Sequence, residues 1–435
     1  METVPNVQVP RACSREKKMV SRKVKSPEQV LFITQVDGTR REGTEDKIEV
    51  PFEEDDLEIR REKLDLDEIK RELYQRECRR LKVTPIGAFV RNPTKTQLDL
   101  KYYSMGPDGA KALSVPLMLD SSLTRLDLEG NCIGPAGLSS LVETLADNCC
   151  LTQISLANNH LGSAGAKHAA SLMLKNQYIS HVNLSGNGFR DIDAPAFGLV
   201  IRDSKHIKEL VLSNNELGEM AGRQFGEALV SNDTLEHLDV SWNHIRNASA
   251  ARLFSGVKEN VGLRRLNISF NGCGSEGVAG AGLALASNST LRELDMSRNR
   301  LTDGDIKFAL SLKNNDSLQI LRLRDNLLTD VGALALLSAI HSAEACALEE
   351  MDIGKTSVNP EFVALVKTIQ DDRPFRVTHG PVIVVKDPTK YSQDSDGPDE
   401  SGADEDDLEV NDEEPTDPTE VQDKKAVERS VSSVI

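Results

Sequence analysis

Asparagine recurs every 28 residues through the middle of this chain, and this period constrains the fold more than any other feature of the sequence. Each of these asparagines follows an L-x-L-x-x pattern or a close variant of it, and only the last step is shorter, at 27 residues. The series is Asn131, Asn159, Asn187, Asn215, Asn243, Asn271, Asn299 and Asn326. Degenerate copies around Tyr103 and Thr356 extend it to ten repeats, from about residue 97 to about residue 370. Such a period predicts a stacked array in which each unit packs on its neighbours.

The better copies show what each position does. In the copy that reaches Gly162, Ile154 and Leu156 alternate so that a short strand would turn both toward a core. Asn159 ends this strand, where its amide can satisfy backbone groups, and the same Asn in each neighbour would build a hydrogen-bonded ladder. Gly162 permits a bend into the Ala-rich residues 164–174, which favour a helix. A strand on one side and a wider helix on the other predict curvature, with parallel strands on the concave face.

With this pattern the repeats resemble the ribonuclease-inhibitor-like class of leucine-rich repeats. The resemblance covers residues 97–370. It implies an α/β fold, a curved leucine-rich-repeat solenoid or horseshoe of ten repeats of about 28 residues with disordered tails. It also implies a protein that holds another protein rather than one that catalyses a reaction.

A second resemblance concerns the residues that precede and begin the first repeat. They are similar to the start of the leucine-rich-repeat-containing protein 74 family, and related axonemal repeat proteins begin in a comparable way. The residues concerned are Tyr74-x-x-x-Cys78, Val83-x-Pro85-x-x-x-Phe89-x-Arg91, Tyr102 and Met105-Gly106. The segment 106–112 and the strand-like finish at 375–385 favour the first family. This resemblance implies no activity for any particular residue.

Shifts in composition divide the chain into four regions. Residues 1–51 are polar and mixed in charge, which predicts a disordered N-terminal region. Residues 52–96 place Leu and Ile near helical spacing among charged residues, which predicts a helical cap over the first repeat. Residues 97–385 are the predicted repeat domain with its C-terminal cap. Residues 386–435 contain 17 acidic and 5 basic residues, which predicts an acidic disordered tail.

The sequence disfavours several classes of function. Seven cysteines without framework spacing, no secretory signal and no long apolar run indicate a reduced, cytoplasmic protein without a membrane span. A net charge of −17 and the lack of a basic stripe disfavour nucleic acid. The glycine-containing segments 106–111 and 162–167 lack phosphate-loop spacing, and the His and Cys residues lack zinc-site spacing. We therefore expect no enzyme activity, no cofactor and no metal, and we expect a monomer.

The strand positions that point away from the core predict a polar, mixed-charge surface suited to a protein partner. Candidate binding residues on this surface are His237, Asp239, Arg265, Asp295, Arg322 and Arg324. The position before each ladder Asn is usually small or polar, but in three consecutive repeats it is Trp242, Phe270 and Arg298. Exposed aromatics with Arg are typical of binding hot spots, although both rings could instead pack locally over the strand ends. Tyr102 occupies the same position in the first repeat, where we expect the cap to cover it.

We therefore predict a non-enzymatic scaffold that binds a protein through the concave face and rim, in the cytoplasm or alternatively in an axoneme. An alternative from another class is a Ran-type GTPase activator, which also combines such repeats with an acidic tail. Acceleration of GTP hydrolysis by Ran would distinguish the two. The final residues Ser433-Val-Ile435 fit a C-terminal peptide ligand, although a match of three residues arises easily by chance.

Overall fold

The computed structural model describes residues 66–343 and 346–383. The predicted N-terminal region 1–51, the first part of the predicted cap (52–65) and the acidic tail 386–435 lie outside the described residues. The four predicted regional boundaries remain predictions.

Within the described residues, eleven short strands form one parallel sheet in which each strand pairs with the next in chain order. Successive strands pair in register, so that, for example, Leu210 lies beside Leu238 and Leu238 beside Leu266. The strands are β1 Gln97–Asp99, β2 Arg125–Asp127, β3 Gln153–Ser155, β4 His181–Asn183, β5 Glu209–Val211, β6 His237–Asp239, β7 Arg265–Asn267, β8 Glu293–Asp295, β9 Ile320–Arg322, β10 Glu350–Asp352 and β11 Arg376–Thr378.

Helices alternate with these strands. They are α1 Leu66–Leu81, α2 Gly87–Arg91, α3 Gly106–Leu117, α4 Gly134–Leu145, α5 Gly162–Lys175, α6 Ala194–Asp203, α7 Glu219–Leu229, α8 Asn247–Glu259, α9 Gly274–Leu285, α10 Asp330–His341 and α11 Pro360–Asp372. A short 3₁₀ helix, Asp191–Asp193, precedes α6, and a longer one, Asp303–Asn314, takes the helical position between β8 and β9. This order confirms the predicted leucine-rich-repeat solenoid.

A continuous apolar core lies between the sheet and the helices. The central residue of each repeat strand from β1 to β10 is buried, as Leu238 and Leu266 illustrate, because alternate side chains of a strand face opposite sides. Phenylalanines from the helices fill the wider spaces, including Phe225 and Phe254, which are almost fully buried. Each repeat buries its apolar residues against its neighbours, so the array is stable only as a stack.

The ladder asparagines form a buried column along the edge where the strands end, which we call the strand-end rim. Asn159 shows the pattern: its Nδ2 donates to the carbonyls of Leu128 and Ala157, both at 2.9 Å. Its Oδ1 accepts from the backbone N–H of Asn131 at 3.0 Å and of Ile133 at 3.3 Å. Three of these four bonds reach the preceding repeat, so each Asn fastens two repeats together.

A second buried column of asparagines, which the sequence analysis missed, lies along the opposite edge, the strand-start rim. Its members lie between the end of a helix and the next strand: the half-buried Asn148 and the buried Asn176, Asn232, Asn260, Asn288 and Asn315. Nδ2 of Asn260 donates to the carbonyls of Leu229 (2.7 Å) and Asn232 (2.6 Å). Its Oδ1 accepts from the N–H groups of Gly262 and Leu263. The 28-residue recurrence was the signal that would have revealed this column.

An ion pair lies at the N-terminal end of the second column. Asp120 takes the place of the asparagine, and its Oδ1 accepts from the N–H groups of Ser122 and Leu123. Nζ of Lys70 in α1 donates to Oδ2 of Asp120 at 2.7 Å and to the carbonyl of Pro93 at 3.5 Å. Both side chains are almost fully buried, so the pair joins α1 to the first repeats.

Candidate protein-interaction surface

One backbone position on the strand-end rim has the same unusual conformation in nine successive repeats. It lies directly before each ladder asparagine or its equivalent, and its φ angle is positive, between 52° and 69°. Glycine, Asn and Asp adopt this left-handed conformation readily, whereas larger residues do so at a cost. The residues are Tyr102, Gly130, Asn158, Gly186, Asn214, Trp242, Phe270, Arg298 and Asp325.

Trp242 and Phe270 hold this conformation at φ values of 52° and 57°. For bulky residues the left-handed region costs about 1–2 kcal/mol each relative to the ordinary one. Their rings stack at a centroid distance of 3.7 Å with planes 15° apart, and the Arg298 guanidinium lies 4.8 Å from the Phe270 ring centroid. Indole, phenyl and guanidinium thus form one pile across three repeats, which we call the rim stack. Trp242 is 54% exposed, so its ring does not belong to the core.

An open groove of about 460 Å³ runs beside the rim stack. It is lined by the stack, by ladder asparagines and by three more side chains with basic groups, His244, Arg246 and Arg300. Gly272 lies between the two arginines, since a Cβ placed on it would be 3.9 Å from Arg246 Cγ and 4.0 Å from Arg300 Nε. Among the described residues no carboxylate lines this basic groove. The sequence analysis missed these basic residues because they follow the ladder asparagines at positions that vary between repeats.

The nearest acidic side chain that contacts the stack is Asp325. Asp325 belongs to the repeat that follows that of Arg298, and its Oδ2 lies 2.8 Å from both Nε and Nη2 of Arg298. This pair fixes the guanidinium over Phe270 and leaves the groove positively charged, because no described carboxylate pairs with Arg246 or Arg300.

The predicted residues of the concave face lie on neighbouring strands, but they form separate, internally paired groups. Arg265 Nη2 lies 3.8 Å from a carboxylate oxygen of Glu209. His237 Nδ1 lies 3.5 Å from the same oxygen but makes no hydrogen bond with any described residue. Asp239 accepts from Asn267 Nδ2 at 3.1 Å.

The paired pattern continues along the next strands. Arg322 pairs with Glu293, Arg324 pairs with Asp352, and Asp295 accepts from the backbone N–H of Ser297 at 2.9 Å. The arginines at positions 265, 322 and 324 on this face of the sheet therefore pair with carboxylates, unlike Arg246 and Arg300 of the groove.

The prediction that the cap covers Tyr102 is wrong, because the Tyr102 ring is 66% exposed. It lies over the next repeat, where a Cβ on Gly130 would come within 2.2 Å of the ring. The phenol donates to Glu129 Oε1 at 2.5 Å, and this bond raises the pKa of Tyr102. Helix α1 instead packs on α3, and its Tyr74 contacts Phe89 edge-on at 4.7 Å. Tyr102 is thus a lone ring, without the aromatic neighbour that Trp242 has.

Two buried cysteines offer little reactive chemistry. Burial raises the pKa of Cys273 to about 12 and also raises the pKa of Cys78, so both thiols stay protonated near neutral pH. In the part of the chain that the structure describes, no cluster of His, Cys, Asp and Glu could hold a metal ion. None of the described helices is both long and apolar enough to cross a membrane.

Comparison with known proteins identifies the repeat type. Five segments match a protein-family model described as Leucine Rich repeat: residues 120–142, 147–167, 231–254, 287–307 and 314–337. A sequence search of curated proteins gives no significant match.

Two solved structures are similar over part of the chain. A tropomodulin C-terminal domain from Caenorhabditis elegans is 16% identical with a TM-score of 0.30, covering 34% of this chain and 92% of that one. Actin-binding site 2 of leiomodin-1 is 17% identical with a TM-score of 0.29, covering 43% of this chain and 91% of that one. The repeat matches and the eleven-stranded parallel sheet show that this chain carries leucine-rich repeats and folds as a leucine-rich-repeat solenoid.

Proposed function

We propose that this chain is a non-enzymatic scaffold that holds a protein partner on its strand-end rim and the adjoining concave face. The observation that carries the proposal is the rim stack. Trp242 and Phe270 occupy a backbone position where five other repeats place Gly, Asn or Asp, and Trp242 is 54% exposed. The left-handed backbone of Trp242 costs free energy that burial in the core does not offset. Such backbone outliers are typical of functional positions.

The composition of the stack suits a binding anchor. Tryptophan and arginine are the residues most enriched among those that dominate binding energy, especially when they lie together. The ring stack and the Asp325 pair hold the three side chains in place before binding, which lowers the entropy lost on association. The polar concave wall beside them offers paired charges that a partner can complement.

The test is capture of binding partners by the full chain, with Trp242→Ala/Phe270→Ala as the variant. We expect the variant to lose the partner, with affinity reduced at least about 30-fold, since anchor residues contribute about 2 kcal/mol or more. Tyr178→Ala is the matched control, because Tyr178 is 55% exposed and lies on the strand-start rim. Unchanged capture by the double variant, with Tyr178→Ala also unchanged, would contradict the proposal.

We further propose that the chain belongs to the leucine-rich-repeat-containing protein 74 family and acts as a monomer in the cytoplasm or an axoneme. The residues around Tyr74, Phe89 and Tyr102 support the family assignment.

A further inference from the structure

We propose that the acidic segment 394–420 of this chain binds in the basic groove beside Trp242 and Phe270, and so competes with the partner. The competition rests on the proposed function; the docking itself does not.

The groove presents positive charge around an apolar centre. Arg246, Arg298 and Arg300 line it together with the stacked rings of Trp242 and Phe270. Among the described lining residues there is no carboxylate to balance Arg246 and Arg300. A complementary ligand therefore carries several carboxylates on both sides of a short apolar stretch.

The chain itself contains a segment with this composition. Residues 394–420 hold 14 acidic residues and no Lys or Arg. At its centre, residues 404–414 read Asp-Glu-Asp-Asp-Leu-Glu-Val-Asn-Asp-Glu-Glu. Leu408 and Val410 are thus flanked by acids on both sides. We place these two side chains against the rings and the neighbouring carboxylates on the arginines.

The described chain ends on the same rim as the groove. The N–H of Ile383 donates to the Val358 carbonyl at 2.8 Å, and Val382 bridges to Val358 as Leu327 bridges to Thr302 two repeats earlier. From β11 the groove at β8 is three strand spacings away and Trp242 at β6 is five, roughly 14 and 24 Å. Ten residues separate Ile383 from Asp394, and ten residues can span up to about 33 Å. The segment therefore reaches the groove.

Tethering makes even a weak contact effective. A link of ten residues gives an effective concentration in the millimolar range, so an interaction too weak to form between separate molecules still forms within one chain. A partner must then displace the segment. Its apparent affinity is therefore the intrinsic affinity multiplied by the fraction of chains whose groove is unoccupied. Because the attraction is between exposed charges, salt weakens it.

Trp242 is the only tryptophan of the chain, so its fluorescence reports on the groove alone. The experiment measures quenching of the full chain by acrylamide, a neutral quencher, without partner, for the natural sequence and for the variant Asp404→Asn/Glu405→Gln/Asp406→Asn/Asp407→Asn. We expect roughly a twofold larger quenching constant in the variant, because the bound segment shields the half-exposed indole, and a similar rise for the natural chain in concentrated salt. Adding a peptide of sequence 398–414 to the variant should restore protection.

The matched control neutralises the other run of four acids, with Glu53→Gln/Glu54→Gln/Asp55→Asn/Asp56→Asn, and should leave quenching unchanged. Equal quenching of the natural chain and the 404–407 variant overturns the proposal, as does a rise in the control only. Protection that grows with protein concentration would show docking between copies and overturns the intramolecular form. Because no partner is present, failure here leaves the partner-capture result for Trp242→Ala/Phe270→Ala independent.

Discussion

The two rims of the solenoid have the same foundation but differ in what is added to it. Each contains a buried asparagine column that joins neighbouring repeats, as Asn159 does on the strand-end rim and Asn260 on the strand-start rim. The strand-start rim adds the buried Lys70–Asp120 pair, which serves the fold. The strand-end rim adds an exposed stack on strained backbone. The asparagine columns and the Lys70–Asp120 pair are thus residues that the fold requires. The rim stack is not required by the fold, and it marks a surface available for function.

The largest expected effect concerns Lys70. Lys70→Met removes the cation from a fully buried pair and leaves the Asp120 carboxylate without it, which costs about 3–5 kcal/mol of the free energy of unfolding. Urea unfolding of the variant measures this loss.

A compensating variant sharpens the result. Adding Asp120→Asn to Lys70→Met replaces the buried charge with the amide found elsewhere in the column, and should recover more than half of the loss. If the double variant is as unstable as Lys70→Met alone, the loss of stability does not come from an unpaired carboxylate at Asp120.

A smaller effect is expected in the columns themselves. Asn159→Ala and Asn260→Ala each remove four hydrogen bonds and leave buried backbone groups unpaired, at a cost of about 2–3 kcal/mol each. Chemical denaturation of the two variants compares the columns directly. A cost above about 1 kcal/mol for only one of them would show that the two rims do not share a common foundation.

Much of this architecture is predictable from the sequence, because one residue position repeats with an almost fixed period. The strands, the outer helices and the column that contains Asn159 follow from that period. The column that contains Asn260 was missed because Ser204 interrupts it, and because Asn after a helix is read as an ordinary helix end. The side chain of Asn260 donates to carbonyls of the preceding repeat, and these carbonyls come within reach of it only when the repeats stack.

The candidate site was predictable only in part. The sequence placed Trp242, Phe270 and Arg298 side by side, since they share one position in successive repeats. It could not show that this position is left-handed, although Gly186 and Asn214 at the same place were a signal. Nor could it show that Arg246 and Arg300 meet across Gly272, because that approach depends on how the loops after the strands fold.

The central claim is that the rim stack is not needed for the fold, and the free energy of unfolding of Trp242→Asn/Phe270→Asn tests it most directly. Asn relieves about 1 kcal/mol of left-handed strain per residue, which offsets the lost stacking of about 0.5–1.5 kcal/mol and the modest burial of Phe270. Phe254→Ala, which empties a core position of the same repeat as Trp242, is the control and should cost about 3–5 kcal/mol. We predict that the double variant stays within about 1 kcal/mol of the natural chain. A loss comparable to that of Phe254→Ala would show that the rings hold the solenoid together, and would contradict the account.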